Sequence, residues 1–159
     1  MKQVYDVSND EEIYSGFLKF LSFDPLINSW FINISKTDVP DSLKRHNNFH
    51  AIWTKDQKES DIILEEAIST NGVEEENENS EIWDVDTESN YFTCLKESDS
   101  KKFQEILDGI EDIGGFLSPR FLADVLLSIL EKEDYTKEEV QNFIAINLYF
   151  TTLLNLSQH

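Results

Sequence analysis

Three groups of side chains in this sequence are of the kinds that do chemistry. In the run Asp84-Val85-Asp86-Thr87-Glu88-Ser89-Asn90, oxygen donors occupy positions 1, 3, 5 and 7 of a calcium loop. The sixth position, where the sharp turn wants glycine, is Ser89, and the twelfth, where a bidentate glutamate is needed, is Leu95. The run is therefore read as a solvated acidic turn between two strands, and no metal site is assigned. His46 and His50 are four apart, a spacing that would put two imidazoles on one helix face. Asn47 and Asn48 between them are poor helix formers, and no Glu or Cys supports them at ligand spacing. Lys44, Arg45 and His46 read instead as a basic rim pairing with the protein's own acids. Acid–base chemistry on a phosphate by His46, His50 and Lys55 would need the substrate to approach against the net charge. The lone Cys94, in YFTCLK, reads as a small buried residue of a strand, with no base near it in sequence. There is no G-x-S-x-G, C-x-x-C or phosphate-binding glycine loop, and five glycines leave little room for one. No catalytic residue and no cofactor are expected.

The elements that would carry these residues follow from periodicity. Ser8-Asn9-Asp10-Glu11 fits a capping box, and Ile13, Phe17, Phe20 and Leu21 behind it predict a helix over Asp10–Ser22, ended by Asp24-Pro25. Leu26–Ser35 (LINSWFINIS) is rich in β-branched and aromatic residues and is read as a strand. Val39-Pro40-Asp41-Ser42 reads as a turn and Asn48–Thr54 as a second strand. Asp61–Ser69 fits a short helix or a strand, with strand preferred. Glu81–Val85 and Asn90–Leu95 read as two further strands. Beyond them the period changes to that of helices. Asp99–Ile113 places Phe103, Ile106, Leu107, Ile110 and Ile113 on one face before Gly114-Gly115. Ser118-Pro119 caps a helix over Arg120–Lys132, and the box Thr136-Lys137-Glu138-Glu139 opens a last one to about Leu156. That helix is apolar around most of its circumference, which suits the core or a subunit contact. The expected fold is α+β, with an N-terminal helix, a small mainly antiparallel sheet and three C-terminal helices, as a single domain over residues 1–159. Residues 71–80 (NGVEEENENS) hold nothing from which a core is built and are expected as a mobile acidic loop.

Charge is the strongest compositional signal. In 159 residues, 32 Asp and Glu face 13 Lys and Arg, a formal net charge of −19. Small soluble domains commonly carry a magnitude of roughly 2–8. Direct nucleic-acid binding is disfavoured for want of a basic patch, and so is an anionic membrane surface. Gln141, Asn142, Asn147, Thr151, Thr152 and Asn155 make the uncharged C-terminal stretch too polar to span a bilayer. MKQVYDVSNDEE lacks the apolar core of a signal peptide, so a cytoplasmic location is expected. The aromatic fraction of 12% supplies enough buried area for a core despite the charge.

The excess is local. From Glu59 to Glu88 there are 12 acids and no Lys or Arg, whereas outside that stretch 20 acids face 13 bases. A field of one sign steers a basic partner and raises association rates by about 10- to 1,000-fold. The expected partner-binding residues are Glu65, Glu66, Glu74, Glu75, Glu76, Glu78, Glu81, Trp83, Asp84, Asp86 and Glu88. In this stretch and just after it Ile82, Trp83, Tyr91 and Phe92, if exposed, would be the anchors. In size and charge the whole chain resembles the bacterial toxin-immunity proteins of contact-dependent inhibition systems. The resemblance implies an acidic cytoplasmic α+β protein that binds and inhibits a basic toxin, a nuclease above all. It carries over no residue, since no motif supports it. Two other readings stand beside it: a DNA mimic that blocks a DNA-binding or restriction protein, and an adaptor that forms a homodimer through its apolar C-terminal helix.

Overall fold

The computed structural model describes residues 11–24, 27–56, 82–113 and 117–157. Its first helix, α1 (Glu11–Phe23), buries Phe17, Leu18, Phe20 and Leu21, the stripe the periodicity indicates. The capping residues Ser8, Asn9 and Asp10 lie outside the described residues, as do Asp61–Ser69 and the 71–80 stretch.

Leu26–Ser35 is not a strand: Ile27–Ser35 is a helix, α2. Its aromatic and β-branched residues fall at helical spacing, with Phe31 buried and Trp30 and Ile34 packed beside it on the core. Strand propensity is weak and yields to that packing. The supposed turn at Val39 is also a helix, α3 (Val39–Lys44), with Pro40 in its first turn, where a missing N–H costs nothing. Nor is Asn48–Thr54 one strand: Phe49–Ala51 is a 3-10 turn, and the strand β1 spans Trp53–Asp56.

The described sheet is one antiparallel pair. β2 (Ile82–Val85) runs against β1 in the register Trp53↔Val85, Thr54↔Asp84, Lys55↔Trp83 and Asp56↔Ile82. Trp83 and Val85 face inward. The outer edge of β2 is closed by one side chain. Asn155 Oδ1 accepts the Trp83 N–H at 2.8 Å, and Asn155 Nδ2 donates to the Trp83 carbonyl at 2.9 Å. The Trp83 backbone groups on that edge are thus satisfied by a side chain.

Asn90–Leu95, expected as a strand, is a helix, α4 (Asn90–Lys96). Ser89 caps it, its hydroxyl accepting the Phe92 N–H at 3.1 Å, and Phe92 and Leu95 turn to the core three residues apart. Next, α5 (Lys101–Ile113) buries Phe103, Ile106, Leu107 and Ile110. In α6 (Pro119–Ile129), Ser118 caps as its sequence indicates, accepting the Phe121 N–H at 3.2 Å.

Between α6 and the last helix the chain makes a 3-10 turn, Lys132–Thr136, that periodicity did not show. Asp134 holds it: one carboxylate oxygen accepts the Glu131 N–H at 3.0 Å, the other the Ser100 hydroxyl at 2.9 Å and Lys137 Nζ at 3.2 Å. The expected Thr136 cap does not form, because that hydroxyl donates to the Glu133 carbonyl at 2.7 Å.

The last helix runs on through α7 (Glu138–Phe143), a π-helical stretch (Ile144–Phe150) and α8 (Thr151–Leu156). The Thr151 hydroxyl donates to the Ile146 carbonyl at 2.8 Å and accepts Trp53 Nε1–H at 2.9 Å, fastening the π-helical stretch to the sheet. Val140, Phe143, Ile144, Leu148, Leu153 and Leu154 are all at most 1% exposed. Each such side chain stabilises the fold by about 1.5–3 kcal/mol relative to an exposed one. The helix is the centre of the core, touching α2, α4, α6 and β2 along its length. Phe17, Phe31 and Tyr149 join it to α1 and α2 through tilted and edge-on ring contacts at 5.8–6.4 Å. The fold is α+β, mostly helical, with its helices gathered toward the C-terminus. Among the described residues no helix is long and apolar enough to cross a membrane.

Candidate functional site

The acidic stretch Glu59–Glu88 lies in sequence between the paired strands β1 and β2 and the turn after them. Asp56 and Ile82 are paired, so residues 57–81 leave and return at the same end of the two strands. Trp83, Asp84, Asp86 and Glu88 lie on β2 and the turn after it. Glu65, Glu66, Glu74, Glu75, Glu76, Glu78 and Glu81 lie outside the described residues.

Trp83 is not an exposed anchor. It is 6% exposed, edge-on to Phe49 at 4.8 Å, with Lys55 Nζ over its ring at 5.1 Å and His50 at 6.1 Å. A cation over an indole face is attracted by the ring quadrupole, so Lys55 has a structural role here. The reason for the burial is alternation: in a four-residue strand tied on both edges, every second residue must face the core. Phe92 is buried as well. Tyr91 is half-buried, its hydroxyl 3.1 Å from Asn147 Oδ1 and 3.4 Å from the Asn142 carbonyl, and burial pushes its phenol pKa upward.

The carboxylates of the turn are oriented by the backbone. Asp84 Oδ1 accepts the Val85 N–H at 2.8 Å, and Asp86 Oδ1 accepts the Glu88 N–H at 2.9 Å, leaving Glu88 exposed. The acidic turn joins a strand to a helix rather than two strands, and Ser89 has become a helix cap. Among the described residues no three His, Cys, Asp or Glu side chains gather as metal ligands would.

The basic side chains sort differently from expectation. α3 ends at Lys44, and His46 and His50 fall on a turn and a 3-10 turn, not on one helix. His46 Nδ1 accepts the Asn48 N–H at 3.3 Å, while His50 lies edge-on to Phe49 at 5.1 Å. Arg45 bonds the Asp41 carbonyl and the Ser42 hydroxyl rather than a carboxylate. Ion pairs form elsewhere: Lys96 with Asp108 and Glu111, Lys102 with Glu131, and Lys137 with Asp134. Hydrogen bonds donated to Glu111 and Asp108 raise the Lys96 pKa, and one donated to Glu131 raises that of Lys102. Cys94 is exposed on α4, not buried in a strand.

One surface went unread in the sequence. Ile113, Phe121 and Ile129 stand exposed along α5 and α6. The available signal was an apolar series running past the core stripe on both sides of the Gly114-Gly115 break. Compared with protein-family models, curated proteins and solved structures, the chain matches none of them.

Proposed function

We propose that this chain is an acidic binding protein that neutralises a basic protein partner, as an immunity protein does its cognate toxin. It acts by covering the toxin's active site or substrate-binding surface. One observation carries the reading: 12 acids and no base fall between Glu59 and Glu88, in a segment anchored at both ends on one strand pair. A nuclease must present cations to phosphate, and carboxylates held on a scaffold compete for those cations. Such fields act over about 8 Å at physiological salt, so the partner must meet this segment closely. The reading places the protein in the cytoplasm, where an incoming nuclease does its damage. It assigns recognition to the carboxylates and not to Trp83, whose ring lies in the core.

The test is to reverse Glu74, Glu75, Glu76 and Glu78 to Lys in the full chain and titrate it with the basic domain encoded by the neighbouring reading frame. The association rate is expected to fall by about 10- to 1,000-fold with the melting temperature held. Undiminished affinity in the folded variant would remove the segment from the interface. Binding to several unrelated DNA-binding proteins, competed by duplex DNA, would favour a DNA mimic instead.

A further inference from the structure

Between α5 and α6 runs an open apolar groove of about 200 Å³. Ile106, Ile110 and Leu122 are buried along it, and Ile113, Phe121 and Ile129 form its walls, exposed by 63, 53 and 38%. Three of the five large apolar side chains exposed among the described residues stand on this one feature, so the exposure is concentrated, as at interaction sites.

Gly109 supplies a second observation. It lies inside α5 on the groove, and a Cβ added there would meet nothing within 4 Å. Neither crowding nor backbone conformation requires glycine at this position, although only proline is tolerated less well inside a helix. Its missing side chain leaves bare α5 backbone on the groove, where a second main chain can come close.

The third observation is charge. Asp108 and Glu111 are engaged by Lys96, and Glu131 by Lys102. Glu105 lines the groove, and Asp112 follows it seven residues on, along the row that contains Gly109. Lys102, one turn before Glu105, acts on it electrostatically but forms its ion pair with Glu131, and among the described residues neither Glu105 nor Asp112 forms a salt bridge. Arg120, in the first turn of α6, is that helix's one cation.

We propose that this groove docks a cationic amphipathic helix of a partner protein. The helix lays its apolar stripe over Ile110, Ile113 and Phe121, packs against Gly109 and sets its Lys or Arg flank on Glu105 and Asp112. A second copy of this chain is the wrong occupant, because each copy carries −19 and would bring an acidic rim to an acidic rim.

The test uses the full chain and two synthetic Leu–Lys peptides of about 14 residues, roughly four helical turns. One is amphipathic and the other is scrambled, and fluorescence anisotropy reads their binding. The amphipathic peptide is expected to bind about tenfold tighter than the scrambled one, and Gly109→Arg, or Glu105→Lys with Asp112→Lys, to abolish that preference. Gly109→Ala is expected to raise the melting temperature and weaken the peptide less. Equal affinity for both peptides, or an undiminished preference in Gly109→Arg, overturns the proposal. So does a concentration-dependent mass without peptide that Gly109→Arg removes, which identifies a second copy. A lower melting temperature in Gly109→Ala also overturns it, because a segment of the chain itself would then fill the groove. Residues 57–81 are untouched throughout, so this proposal and the function proposed for the acidic segment fail separately.

Discussion

The C-terminal helix and the α5–α6 pair are both richer in apolar residues than a single narrow stripe requires, yet they end in opposite environments. The former is packed against α2, α4, α6 and β2, with Val140, Phe143, Ile144, Leu148, Leu153 and Leu154 buried and Ile146, Tyr149 and Phe150 partly buried beside them. The latter keep Ile113, Phe121 and Ile129 in solvent over a groove. Apolar content therefore says that a helix will be covered, and not by what.

Truncation gives the widest test of this contrast. Phe143→Ala, at 0% exposure, is expected to cost about 3–5 kcal/mol in urea unfolding, whereas Phe121→Ser, already 53% exposed, should change stability by less than about 1 kcal/mol. Similar losses at the two sites would mean that the groove is part of the core after all.

An intermediate effect is expected at Asp134, where α6 is joined to the last helix. Burial pushes its carboxyl upward, but the bonds from the Glu131 N–H, Ser100 and Lys137 outweigh this and hold it below its ordinary value. A depressed folded pKa stabilises above the unfolded pKa of about 3.9 and loses that contribution as pH falls through the folded value. Asp134→Ala should thus cost about 1–3 kcal/mol at neutral pH, with the gap from the parent narrowing in acid. A gap independent of pH would show that the junction relies on packing alone.

The smallest effect is expected inside the C-terminal helix itself. The Thr152 hydroxyl is buried and finds no hydrogen-bond partner among the described residues. Thr152→Val should raise stability by about 1 kcal/mol. A loss of that size would reveal a partner for the hydroxyl and a less purely apolar helix than described.

Much of the helical frame was readable before any coordinates. α1, α5, α6 and the last helix lie where apolar residues recur at helical spacing, and Ser118-Pro119 caps α6 as such a pair should. Two of the misreadings share one cause. In LINSWFINIS and NYFTCLK the side-chain types favour strands, but their spacing also lets one face meet the core as a helix. The core supplied that face: Phe31 is buried in one segment, and Phe92 and Leu95 in the other. The candidate site was half readable. Its charge and position are plain in a list of residues, but whether Trp83 would point outward was decided by the alternation of a strand held at both edges.

The sequence alone determined where the charge lies, that it holds no G-x-S-x-G, C-x-x-C or phosphate-binding glycine loop, and which long stretches repeat at a helical period. These are properties of residues within a turn or two of one another, and near neighbours express them without the rest of the chain. Only the tertiary structure decided that β1 and β2 pair across the acidic segment, that Trp83 is core and that α5 and α6 leave a groove open. Those outcomes depend on contacts such as Trp53 with Thr151, 98 residues apart, and Trp83 with Asn155, 72 apart. Distant partners choose which apolar face is covered, and local periodicity carries no record of that choice.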